Sequence, residues 1–128
     1  MADEQHVTLL RRGVAEWNRW RADNPQATPD LTSAGLRGLD FSGANLAGAE
    51  LTGADLRGTI LEGSSLAGAE LAAANLFKAV LDGADLGGAN LRGVRFLDCA
   101  RLTAARDWQS AHRDAELGCG APIPPRSG

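Results

Sequence analysis

The sequence predicts an all-β solenoid with a helical cap on each end, and three observations lead there. A large apolar residue recurs at every fifth position, a small residue stands two places before it, and glycine usually stands two places after it. The apolar series is Leu31, Leu36, Phe41, Leu46, Leu51, Leu56, Leu61, Leu66, Leu71, Leu76, Leu81, Leu86, Leu91 and Phe96. The small positions are mostly alanine, from Ala34 to Ala89, with Thr59 and Ser64 among them. Glycine fills its position in ten of the fourteen units, Gly38 through Gly68 and then Gly83, Gly88 and Gly93.

A period of five suits neither a helix nor a flat strand. On a helix, successive fifth residues drift around the axis. On a strand they alternate between faces. A chain that turns a corner every five residues resolves the conflict, because each corner resets the inward direction. The large residue then fills the interior, the small one lies beside it, and glycine suits a turn with positive φ.

The pattern Ala44-Asn45-Leu46-Ala47-Gly48, repeated as Ala54-Asp55-Leu56-Arg57-Gly58, resembles the pentapeptide-repeat family. The resemblance covers about half the chain and implies a right-handed quadrilateral parallel β-helix. Fourteen units over four sides make about 3.5 coils, so the solenoid is about 17 Å long at the spacing of paired strands. Each buried leucine contributes on the order of 1.5–3 kcal/mol of transfer free energy before entropy is subtracted.

We read residues 1–128 as one domain: an N-terminal helical cap over 5–22, the repeat over 29–98, a C-terminal helix over 103–117 and a tail over 118–128. Open solenoid ends expose apolar surface and unpaired edges, which is why caps are expected. In the first cap Val7, Leu10, Val14, Trp17 and Trp20 form one face. Asn24-Pro25 and Thr28-Pro29-Asp30 lead into the first coil. The stretch from Trp17 to Arg21 followed by Pro29-Asp30-Leu31 resembles the lead-in of many bacterial members of the family. The paired tryptophans are expected to anchor the cap rather than to form a ligand platform. For the second helix, Thr103 is the expected N-cap, Ala105, Trp108, Ala111 and Ala115 the apolar face, and Gly118 the stop. Cys99 falls on a small inward position, and it and Cys119 are expected to be reduced.

Composition narrows the function. A formal charge of −3 and a pI near 5.3, with no dominant Lys/Arg cluster along the chain, speak against direct nucleic-acid binding. The polar N-terminus reads as neither signal peptide nor membrane span, so a cytoplasmic protein with no membrane partner is expected. His6, at an end expected to fray, and His112 stand far apart, and no nucleophile, base and orienting group converge. No catalytic residue, metal ligand or cofactor is expected. Glu62 and Asp82 stack on one side, where solvation explains them better than cation binding.

Function therefore rests on surface. With twenty residues per coil, Arg37, Arg57, Phe77 and Leu97 share one side, and Ile60 and Val80 occupy slots on the next that Asp or Asn normally fills. Ile60, Phe77, Val80 and Leu97 form a candidate apolar interface. Either a partner covers it, a homodimer being one form, or a terminal helix does. We read the chain as a non-catalytic structural or interaction scaffold whose protein partner is unknown. The family supplies an alternative: some members resemble B-form DNA, bind DNA gyrase and protect it from quinolones or peptide toxins. That mimicry needs a long acidic rod, whereas Leu31 to Phe96 carries seven acidic and five basic residues. Leu61→Asp in the middle coil should abolish the β-type circular dichroism signal; a soluble variant with an unchanged spectrum would overturn the inward assignment.

Overall fold

Backbone pairing repeats every twenty residues in the computed structural model, which describes residues 2–125. Parallel bridges form four ladders: Asp30–Glu50–Glu70–Asn90, Gly35–Asp55–Asn75–Arg95, Asp40–Ile60–Val80 and Asn45–Ser65–Asp85. Each ladder is offset by five residues from the next, so one coil has four sides. We number these sides one to four in the order of Asp30, Gly35, Asp40 and Asn45. The pairing is regular: the Leu31 amide donates to the Glu50 carbonyl at 2.8 Å, and the Glu50 amide donates to the Pro29 carbonyl at 2.8 Å.

Corners are made by the residue two places after each leucine. All ten repeat glycines there lie in the left-handed region, with φ from 65° to 75°. Ser33, Ala73 and Lys78 adopt the same geometry, with φ of 57°, 61° and 58°, despite carrying a Cβ. Where Asp or Asn precedes the central residue, in seven of the fourteen units, it also acts at the corner. Its side chain accepts the amide two residues on, as Asp40 does from Ser42 at 2.9 Å and Asp85 from Gly87 at 2.9 Å. These bonds hold the Asp40 carboxyl below the ordinary carboxylate range, with the Ser42 hydroxyl contributing most. Ile60 and Val80 can make no such bond.

Leu31 through Leu91 are buried at every fifth position, and alanines pack beside them. The hydroxyls of Thr59 and Ser64 donate to the carbonyls of Leu36 and Leu61, both at 2.7 Å, which explains how polar groups are accommodated inside. Phe96 departs from expectation. It adopts φ 62°, turns the chain off the repeat path and stands 59% exposed, so the regular core ends at Leu91.

The N-terminal cap is two helices rather than one: α1 (Glu4–Arg12) and α2 (Val14–Asp23), separated at Gly13 with φ 140°. The break lets both helices cross the coil end, burying Leu10 and Trp17, while Val14 and Trp20 are half-buried against the same core. Together they pair with the open edge on the first, second and fourth sides and at the corner after the third. The Asp3 amide donates to the Asp30 carbonyl, and the Asp30 amide donates to His6 Nδ1 at 3.0 Å, so His6 is a docked residue, not a frayed one. Arg11 donates to the Gly35 carbonyl, Asn18 to Gly43, Trp17 Nε1 to Asn45 at 2.7 Å and Arg21 to Ala47 at 2.7 Å.

The C-terminal helix expected over 103–117 is absent. A short helix, α3 (Cys99–Thr103), begins at Asp98, whose carboxylate accepts the Arg101 amide; Thr103 therefore ends a helix instead of starting one. The chain then rejoins the coil, with Arg106 bridging Asp85 and His112 bridging Asn90. Ala105 and Ala111 thus occupy the small inward slots of an irregular last coil, whereas Ala115 is exposed. The alanines that suggested a helix face are there because the solenoid needs small residues. Where α3 replaces the third side, the Arg101 guanidinium donates to the Leu76, Ala79 and Phe96 carbonyls in place of a further rung.

Arg113 closes this end. It is buried, lies 5.2 Å over the half-buried Trp108 ring, and donates to five carbonyls, those of Gln109, Ala111, Leu117, Gly118 and Pro122. Cys99 and Cys119 form a disulfide with a Cα–Cα distance of 5.6 Å, contrary to the expectation of two thiols. Folding α3 and the end of the last coil together brings residues twenty apart into reach, and closing that loop contributes about 3 kcal/mol. Such bonds persist in oxidising surroundings, so the pairing pulls against the cytoplasmic expectation. The tail from Gly118 to Pro125 is irregular and tied back by Arg113 and by His112 Nδ1, 3.3 Å from the Pro124 carbonyl; its final residues, 126–128, lie outside the described ones. Arg113→Ala should lower stability by on the order of 3–5 kcal/mol, because several buried carbonyls lose their donor. Thermal denaturation checks this; an unchanged melting temperature would refute the plug.

Candidate functional site

The second side of the coil carries the least explained surface. Its successive rungs present Arg37, then Arg57 with Asp55, then Phe77 with Lys78, then Arg95 with Phe96. Because the ladder joins residues twenty apart, cations scattered over some sixty residues of sequence stack on one face. No such cluster stands along the chain; this one is a product of the coil, and no linear window contains it.

Asp55 and Arg57 neutralise each other. The guanidinium donates to both carboxylate oxygens, at 2.8 and 2.7 Å. That pairing holds the Asp55 carboxyl below its usual range and raises Arg57 further above its own. Arg37, Lys78 and Arg95 are exposed, and no ion pair ties them to a carboxylate among the described residues.

The aromatic component is a pair. Phe77, 45% exposed, meets Phe96 at 5.5 Å between ring centroids and 72° between planes. The Lys78 ammonium sits 5.3 Å over the Phe77 ring. Beside them Arg37, Arg57, Phe77 and Lys78 border a shallow groove of about 450 Å³, floored by Gly38 and Gly58, which have no side chains to fill it. Two of these residues sit on costly backbone: Lys78 occupies the corner where the coils above have Gly38 and Gly58, and Phe96 is also left-handed.

The four residues expected to form the interface do not all converge. Phe77 faces solvent. Ile60 and Val80 bridge each other on the third side and are half-buried, between Asp40, Glu62 and Asp82. Leu97 turns inward against the core, because the left-handed turn at Phe96 shifts the chain and gives Phe96 the outward place. No terminal helix covers Phe77; α3 instead lies over the end of the stack through Arg101. Sequence reasoning missed Phe96 and Arg95 as surface groups, and Lys78 was legible only as the loss of a corner glycine. The glycine-to-lysine change at position 78 was the available signal.

His6 and His112 belong to the same side but to opposite ends of the stack, one at Asp30 and the other at Asn90. Among the described residues no group of three or more His, Cys, Asp or Glu could hold a metal ion. No helix there is long and apolar enough to cross a membrane.

A four-sided coil with one decorated side defines a repeat protein of the solenoid class. The pentapeptide-repeat family model matches residues 30–63 and 61–93, and the chain belongs to that family. Among solved structures it is similar to a pentapeptide repeat protein from the thylakoid lumen of Arabidopsis thaliana, at 28% identity over 71% of this chain and 68% of that one, with a TM-score of 0.42. It is also similar to a pentapeptide repeat protein of Nostoc, at 31% identity over 73% and 79%, with a TM-score of 0.34. A plasmid-mediated fluoroquinolone resistance protein matches at 18% identity over 63% and 51%, with a TM-score of 0.29. None of the curated proteins matches.

Lys78→Gly should raise the melting temperature by about 2–5 °C, since glycine relieves the left-handed corner. A lower melting temperature would show that Lys78 is held there for stability.

Proposed function

We propose that this chain is a non-catalytic interaction scaffold, a right-handed β-helix that works through its second side. One observation carries the reading: a chain of net charge −3 exposes a stacked set of cations around an exposed phenylalanine pair on a single side. Neither feature is needed by the solenoid. Core packing is complete without Phe77 and Phe96, and the corner geometry is cheaper without Lys78. Surface aromatics among arginines are typical anchors of protein contacts.

The gyrase-modulating alternative draws less support from the charge distribution. A DNA mimic needs negative potential along the rod, and here an acidic third side adjoins a basic second one. The scaffold reading takes the partner to be a protein, with a second copy of this chain included.

A photo-crosslinking amino acid placed at position 77, and separately at position 67 on the plain fourth side, tests the reading in extracts of the source cell. Adducts at 77 in marked excess over 67 are expected. Absence of adducts at both positions, and at positions on the other two sides, would overturn it. Light scattering on the purified chain tells whether the adduct is a second copy.

A further inference from the structure

We propose that the second side docks a short acidic segment of a partner polypeptide, its carboxylates meeting Arg37, Lys78 and Arg95 and one apolar side chain resting on the Phe77–Phe96 pair. This rests on the scaffold reading and names the chemistry of the partner.

Charge complementarity is the first argument. Arg57 is satisfied within the chain by Asp55, and Asp55, though near enough to feel Arg37, is engaged by that pair. The three exposed cations have no such counterion, so an incoming carboxylate gains an interaction without displacing one. The groove beside Phe77 offers a small apolar contact at the middle of this set.

Dimensions and surroundings argue for a short peptide over a nucleic acid. Three rung steps separate Arg37 from Phe96, about 14 Å of side at the usual strand spacing. The third side presents Asp40, Glu62 and Asp82, and the first side Asp30, Glu50 and Glu70 with Arg92 at its last rung, so the basic strip lies between two mainly acidic sides. A long polyanion would meet those carboxylates, whereas four or five residues of peptide fit between them. The rings point the same way. Lys78 lies over one face of Phe77 and Phe96 crosses it at 72°, which leaves a nucleobase little free face to stack on. An aliphatic side chain needs only contact area.

Backbone conformation is independent of charge. Among the described residues six non-glycines hold left-handed φ, Ser33, Ala73, Lys78, Phe96, Asp107 and Cys119, and two of them, Lys78 and Phe96, bring a functional group to this one side. Outliers maintained against local preference mark surfaces kept for a purpose other than stability.

The test is a titration of the full-length isotope-labelled chain, followed by amide NMR shifts at low salt. The probes are the blocked peptide Glu-Glu-Leu-Glu-Glu and a ten-residue oligo-dT. Saturable shifts centred on residues 37, 57, 77, 78, 95 and 96 are expected with the peptide. Phe77→Ser and Arg37→Glu should each weaken binding by about fivefold to tenfold, and Ala67→Glu on the fourth side should leave it unchanged. Lys78→Gly provides a variant that the backbone favours, so weaker binding together with a higher melting temperature separates function from folding if Phe77→Ser does not fold. Shifts centred on another side, no saturation at millimolar peptide, or tighter binding of oligo-dT at these residues would overturn the proposal. A partner crosslinked through a different side would leave a scaffold role standing while removing both its assignment to the second side and this proposal; no crosslinked partner on any side would remove the scaffold role itself.

Discussion

Everything in this molecule depends on stacking backbone on backbone at an interval of twenty residues. Within the stack, amides of the central residues donate to the coil below and amides of the residues before them donate to the coil above, so no rung can shift without breaking the rungs beside it. The leucine layers follow from that register. A column of leucines and alanines packs at the density of a protein interior only when every corner delivers its residue inward. Corner geometry, side-chain alternation and core filling are therefore one constraint seen three ways.

A stack has two ends, and the ends are where this chain departs from regularity. At the start, two helices supply donors and acceptors to three sides and to the corner after the third, using side chains as different as tryptophan, asparagine, arginine and histidine. At the finish, helix α3 replaces the third side, Arg101 stands in for the missing rung, and Arg113 plugs the core with a buried guanidinium bonded to carbonyls alone. Polar closure of this kind prevents edge-to-edge addition of further strands. The disulfide between Cys99 and Cys119 fastens the second closure covalently.

Legibility follows the same division. Thirteen inward positions could be read from spacing because they share one environment repeated many times. Phe96 could not, since its spacing is right and only the chain's left-handed turn there puts it outside. The C-terminal alanines misled for a related reason: small residues at intervals of three or more suit a helix face and an irregular coil equally well. Gly13 was visible but reads as tolerable inside a helix, and only the geometry of the coil end requires two segments there. On the surface, Phe77, Ile60 and Val80 were recognisable as departures from the pattern. Their division between two sides of different charge was not.

The sequence by itself determined the repeat, its inward residues and its glycine corners, because these are local demands that recur at a fixed interval. Only the tertiary structure decided which distant residues become neighbours. The basic and aromatic second side, the helix donors that close the first end and the cysteine pair all join residues about twenty or more apart. Their proximity is set by coil closure and by the route the chain takes after Leu91, and neither is written in any local stretch of sequence.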